Sequence, residues 1–217
     1  MWRVDNCGQT SNDESHCRVG GSLAVMADLT SVCVFLGSSS GSNPANAAAT
    51  IAMANELVER DITVVYGGGK VGLMGLLADT ALEAGGKVVG IIPSSLFSRE
   101  VAHRGLTDLI ETATMHERKA LMYERSDAFA ALPGGFGTLD ELAEIATWRQ
   151  IGVHNKPVGV LDVDGYYRSL LDWLDRVETD GLLSADNRSM LHNATTPSAL
   201  LDSFENDTKV VRAKWDN

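Results

Sequence analysis

The chain reads as an α/β protein: a doubly wound parallel sheet with helices on both faces, in one domain. Three observations predict this. Short β-branched or apolar runs alternate with longer segments of helical period. The runs are apolar throughout rather than alternating, which marks strands buried on both faces and hence a parallel sheet between helix layers. Four of them lead straight into glycine or proline loops, at residues 37–41, 67–69, 93–95 and 133–138. In open α/β sheets such loops gather at the carboxyl ends of the strands, the edge where ligands bind.

Taken in order, the predicted strands are residues 32–36, 63–66, 87–92, 108–111, 128–132 and 158–163. Ile51, Ala54 and Val58 recur at three- and four-residue steps after the first strand, and Met74, Leu77, Ala81 and Ala84 do so after the second, as amphipathic helices require. The last third, with Tyr166, Tyr167, Leu170, Leu171, Leu174 and Val177 and later Leu200, Leu201 and Phe204, reads as covering helices. Residues 1–30 have no sustained apolar period and carry a polar run at 9–16, so the chain divides into a mobile N-terminal tail and one domain over 31–217.

Composition limits the function. The 217 residues suit one core, and 44% hydrophobic with 22% charged residues lies well away from disorder. Lys+Arg 18 against Asp+Glu 29 gives a net charge of −11, so no broad basic surface exists for nucleic acid, and any bound phosphate needs a local site. Apolar runs are too short for a membrane span, and the first residues do not read as a signal peptide. The three cysteines, Cys7, Cys17 and Cys33, have no CxxC spacing and suggest a reducing, cytoplasmic setting. His116-Glu117 lacks a second histidine four residues on, and the five histidines are scattered, so neither metal nor cofactor is expected.

The loops carry the chemistry. A loop that follows a strand and opens a helix offers free backbone N–H groups and partial positive charge to an anion. In LPGGFGTLDE the glycines Gly134, Gly135 and Gly137 precede Thr138 and Glu141, whose spacing also fits a capping box with no ligand at all. Residues 67–72, GGGKVG, fit neither a P-loop nor a clean GxGxxG; they read either as a tight turn with close packing at Gly72 and Gly75 or as a backbone wall beside a phosphate or sugar. Gly37 and Ser38 sit on the same edge of the first strand. Arg118 and Lys119 open a helix where the dipole favours acids, which suggests a ligand; pairing with Glu117 and Glu124 is the alternative, favoured for Lys119.

Together MHERK and LPGGFGTLDE, with YGGGKVGLMG upstream and TWRQIGVHNKPVGVLDVDGYY downstream, resemble the LONELY GUY family of cytokinin riboside 5'-monophosphate phosphoribohydrolases over residues 31 to about 204, and the PGGxGTxxE signature is complete from Pro133 to Glu141. Members were long labelled lysine decarboxylases, but no lysine in a pyridoxal phosphate setting is evident here. The resemblance implies a Rossmann-like catalytic domain that releases a cytokinin base and ribose 5-phosphate. It implies Arg118 and Glu141 as the catalytic pair, phosphate held by Gly134, Gly135, Gly137 and Thr138, and Lys119 and Glu100 lining the nucleotide site; the loop reading, apart from the resemblance, adds Gly37, Ser38, Gly68 and Gly69 along its edge. It also implies a homo-oligomer, a dimer in the family's commoner form and a hexamer in another, with the homodimer expected here. Glu141, taken as lying on the first turn of its helix, is expected to stay ionised through the dipole alone. Met115, Met122, Trp148 and Phe136 are candidates for an apolar base pocket and equally for the core, and Trp148 with Arg149 could instead face a partner subunit. A non-catalytic carrier of a phosphorylated ligand and an AMP nucleosidase of little base specificity are the alternatives.

Overall fold

A computed structural model describes residues 29–96 and 102–208. The predicted tail lies almost wholly outside the described residues, as does Glu100. Seven parallel strands, β1 (Ser31–Phe35), β2 (Thr63–Tyr66), β3 (Val88–Pro93), β4 (Asp108–Thr112), β5 (Ala128–Ala131), β6 (Val158–Leu161) and β7 (Leu191–Ala194), form one sheet in the order β4-β3-β2-β1-β5-β6-β7. The chain winds outward from β1 in one direction, returns, and winds outward again from β5. The crevice between the ends of β1 and β5 is therefore the topological switch point where ligands bind in such sheets. There the Gly37 N–H donates to the Pro133 carbonyl at 3.1 Å, joining the two loops.

Burial on both faces follows from the strand sequences. Val32, Val34, Val64 and Tyr66 pack under α1 (Pro44–Glu59), α2 (Gly72–Glu83) and α8 (Pro197–Glu205). On the other face Cys33, Phe35, Val65 and Phe129 pack under α4 (Met115–Glu124), α5 (Phe136–Gln150) and α6 (Arg168–Thr179). Two short helices, α3 (Ser94–Leu96) and α7 (Ala185–Arg188), complete the α-helices among the described residues. Local signals set the starts: Asn43 accepts from Ala45 N–H at 2.9 Å with Pro44 at the first position of α1, and Thr196 with Pro197 does the same for α8.

Three differences from the sequence reading have physical causes. β7 falls where only covering helices were predicted, because LHNA is a half-buried edge strand of four residues without the apolar run of a central one. The sixth predicted strand stops two residues early. Asp162 accepts from the Tyr167 N–H at 2.7 Å and the chain turns through Asp164 and Gly165 at φ 51° and 74°. Arg149 is fully buried rather than facing outward, pairing with Asp207 at 2.5 Å while His192 meets the same carboxylate at 2.7 Å.

The turn reading of the second glycine loop is correct at Gly72. Its φ is +60°, and a Cβ there would lie 2.3 Å from the backbone oxygen of Ser38. Gly72→Ala combines left-handed strain with a backbone clash, and is expected to cost about 2–4 kcal/mol of stability, measured by denaturant unfolding.

Candidate active site

The site is built at the switch point by three loops and two helix starts. The start of α4 is fixed by Thr114, whose hydroxyl accepts from the Glu117 N–H at 3.1 Å while the Glu117 carboxylate accepts from the Ala113 N–H at 2.7 Å. Glu117 is thus the acid the helix dipole favours in the first turn, and it frees Arg118, the next residue, to turn inward over the sheet edge.

Arg118 is held on three sides. Its Nε donates to the Ile91 carbonyl at 3.0 Å, and its Nη1 donates to Glu141 Oε1 at 2.9 Å. The third side is Gly67: a Cβ on that residue would lie 2.1 Å from Arg118 Nη2, so the guanidinium lies against a bare Cα. Ion-pair partners with side chains only 13% and 12% exposed are shielded from solvent, where a charge-assisted bond is stronger than at the surface.

Glu141 comes from α5, and its local setting corrects two expectations. The cap of α5 is Gly135, with no side-chain bond, and Thr138 is the third helical residue, buried and set against Gly134. The Thr138–Glu141 capping box therefore does not form; the comparable arrangement is the one at Thr114 and Glu117. Glu141 is the sixth residue of the helix, in its second turn, beyond the reach of the terminal dipole. Burial raises the Glu141 carboxyl above its ordinary value, and the Arg118 guanidinium opposes that rise. Ionisation is thus governed by burial against Arg118.

The glycine loop lies open. Gly135 and Gly137 are exposed, and a Cβ at either would meet nothing within 4 Å among the described residues, so no contact among them requires glycine there. Among the described residues none accepts from the amides of Gly135, Phe136 or Gly137, the orphan donors of a helix start. Beside them runs a cleft of about 370 Å³ lined by Gly134, Thr138, Tyr166 and Leu170 among others.

The other candidates divide. Gly37 joins the site through its bond to Pro133, and Ser38 is exposed beside it. Gly68 and Gly69 are buried, with their carbonyls accepting from the His103 N–H and the Tyr66 hydroxyl, so they shape the wall rather than open onto it. Lys119 pairs with Asp140 at 3.1 Å and Glu144 at 3.0 Å, across on α5 rather than with Glu117 or Glu124. Burial alone would lower its ammonium, but these two carboxylates raise it. Met122 and Trp148 belong to the core, Trp148 edge-on to Tyr123 at 5.6 Å, whereas Met115 and Phe136 are exposed at the site. Sequence reasoning missed Gly67 as the seat of Arg118, although it opens the GGG run, and it missed Tyr166, whose hydroxyl donates to the Gly134 carbonyl. No group of three or more metal-ligating side chains, and no helix long and apolar enough to cross a membrane, occurs among the described residues.

Comparison with known proteins bears on this geometry. A family model described as "Possible lysine decarboxylase" matches residues 74–204. The cytokinin riboside 5'-monophosphate phosphoribohydrolase LOG2 of Arabidopsis thaliana is 46% identical over 86% of this chain and 90% of its own length. A second Arabidopsis phosphoribohydrolase, LOG3, is 47% identical over 80% and 81%. A probable rice enzyme, LOGL3, is 46% identical over 80% and 82%. In fold alone the chain is similar to the molybdenum cofactor binding protein of Rippkaea orientalis, at 21% identity and TM-score 0.61 over 80% of this chain and 94% of that one. With an intact PGGxGTxxE loop at the switch point and relatives of this identity along most of its length, the chain belongs to the LONELY GUY family of cytokinin riboside 5'-monophosphate phosphoribohydrolases.

Proposed function

We propose that this chain hydrolyses the N-glycosidic bond of N6-substituted adenosine 5'-monophosphates, releasing the free cytokinin base and ribose 5-phosphate. The observation that carries the reading is the shielded Arg118–Glu141 pair beside a helix start whose amides are free for a phosphate. Breaking a ribosyl bond develops oxocarbenium character at C1′, which a nearby carboxylate stabilises. Water adds to C1′ as the C1′–N9 bond breaks and its electron pair leaves with the base. Glu141 accepts the proton that water loses, and the departing base takes one from solvent. Arg118 keeps Glu141 ionised and aimed. The open loop at Gly134, Gly135, Gly137 and Thr138 receives the 5'-phosphate.

The same reading places the protein in the cytoplasm as a homodimer. A second copy seated on α5 and α6 would cover exposed apolar side chains on both helices, Phe136 being 92%, Leu139 44% and Trp173 59% exposed.

The test is to incubate the protein with isopentenyladenosine 5'-monophosphate, its riboside and AMP, and to follow free base by chromatography. Release from monophosphates only is expected, with the rate ratio of the first to the last reporting base specificity. Absence of release overturns the hydrolase reading, and AMP binding without cleavage favours the carrier. Light scattering on the same preparation should give twice the 23.2 kDa of one chain; a monomer mass overturns the dimer.

A further inference from the structure

The loop that receives the phosphate has its carbonyls held in sequence. The Leu132 carbonyl accepts from the Tyr167 hydroxyl at 2.6 Å, the Pro133 carbonyl from the Gly37 N–H at 3.1 Å, and the Gly134 carbonyl from the Tyr166 hydroxyl. The Gly135 carbonyl then starts α5 by accepting from the Leu139 N–H at 3.1 Å. Four consecutive oxygens thus bond to the protein, and a planar peptide whose oxygen is fixed has its N–H fixed on the opposite side. The Tyr166–Gly134 bond sets the plane of the Gly134–Gly135 peptide, whose N–H is one of the free donors of the loop. Glycine on both sides of that bond would otherwise let it rotate cheaply.

The two tyrosines are adjacent but differ in burial. Tyr167 is 6% exposed and part of the core, and burial pushes its phenol up, so that it remains a donor. Tyr166 is 48% exposed, its ring packing edge-on against Tyr167 at 5.1 Å and lining the cleft beside the loop. The turn at Asp164 and Gly165 that delivers it is anchored across the site, where Asn43 Nδ2 donates to Asp164 Oδ2 at 3.1 Å. An exposed tyrosine brought by a strained turn onto a loop carbonyl is poorly explained by core packing.

The geometry points to Tyr166 as a positioning residue for phosphate recognition: it locks the Gly134–Gly135 peptide with its N–H toward the ligand, and so contributes to selecting 5'-monophosphates over ribosides. This rests on the reading that the loop receives the phosphate.

The test compares wild type, Tyr166→Phe and Tyr167→Phe in affinity for ribose 5-phosphate and for free isopentenyladenine, in KM and kcat on isopentenyladenosine 5'-monophosphate, and in melting temperature. Loss of one hydrogen bond predicts that Tyr166→Phe weakens ribose 5-phosphate binding and raises KM roughly 3- to 10-fold, with free-base affinity, kcat and melting temperature nearly unchanged. Tyr167→Phe should lower the melting temperature. Unchanged ribose 5-phosphate affinity in Tyr166→Phe, or parallel loss of free-base affinity, overturns the inference and leaves the hydrolase reading intact. If wild type cleaves nothing but binds ribose 5-phosphate, and Tyr166→Phe weakens that binding, the hydrolase reading fails and the inference stands. No binding of ribose 5-phosphate by wild type at millimolar concentration overturns the inference together with the reading that the loop receives the phosphate, while the hydrolase reading is decided by release of free base.

Discussion

Glu141→Gln is expected to lower kcat by about 10²–10³-fold while AMP affinity stays within about threefold of wild type. Glutamine fills the same volume and still accepts from Arg118 Nη1, so the shape of the site is kept. It cannot take a proton from water, and it offers no negative charge to the cation developing at C1′. Rapid-quench turnover with parallel calorimetry of AMP binding separates these contributions. Full turnover in the variant removes Glu141 from the mechanism, and loss of AMP binding together with turnover makes it a structural residue.

The same carboxylate sets the pH dependence. Burial raises its pKa, so the acid limb of kcat/KM lies above the ordinary carboxylate range, and Arg118→Ala, which removes the opposing cation, moves that limb higher still. The stability effect has the matching sign. Below the unfolded value Glu141 is protonated in both states and contributes no difference. As pH rises through the raised folded value, the unfolded chain holds its charge more easily, and the group costs the fold stability. Glu141→Gln removes that cost, so its stability relative to wild type should improve as pH rises above the ordinary carboxylate range in denaturant titrations.

Much of this was legible in the sequence where one force dominates. Runs such as Ala128–Ala131 and Val158–Leu161 are buried on both faces, so their apolar continuity alone identifies them as central parallel strands. β7 was not legible, because LHNA is a half-buried run without adjacent apolar residues, whereas β4 at the other edge keeps Leu109 and Ile110 side by side. Arg118 and Glu141 could be named from motifs, yet the geometry that unites them could not, since it depends on Gly67 and Ile91 from two other strand ends. The capping pattern shows the limit of local rules. TMHE and TLDE both match it, and only in the first does the threonine cap its helix, because in the second Gly135 takes the cap position and Glu141 is drawn across to Arg118. Lys119 shows the reverse: ion pairing was the right kind of interaction, but its partners on α5 are remote in sequence from α4 and could not be chosen from neighbours alone.

Gly67→Ala is expected to reduce kcat/KM by at least about 10²-fold, approaching the loss in Arg118→Ala, although residue 67 need not touch substrate. Gly67 is outside the left-handed region, so alanine meets no backbone strain, and the atom its methyl would strike is Arg118 Nη2, the tip of a flexible side chain. The fold can yield there at little cost. The guanidinium cannot yield without giving up Ile91, Glu141 or both, and catalytic groups misplaced by about 1 Å lose on the order of 10²-fold in rate. If this is how the glycine acts, the effect must run through the arginine. The double variant Gly67→Ala with Arg118→Ala should then be no slower than Arg118→Ala alone, a strongly non-additive cycle, with melting temperature of the glycine variant close to wild type. Additive losses would show that Gly67 acts through some other contact. A large fall in melting temperature would show that the methyl is absorbed by the fold rather than by the site, in which case the guanidinium is less mobile than its place at the end of a long side chain implies.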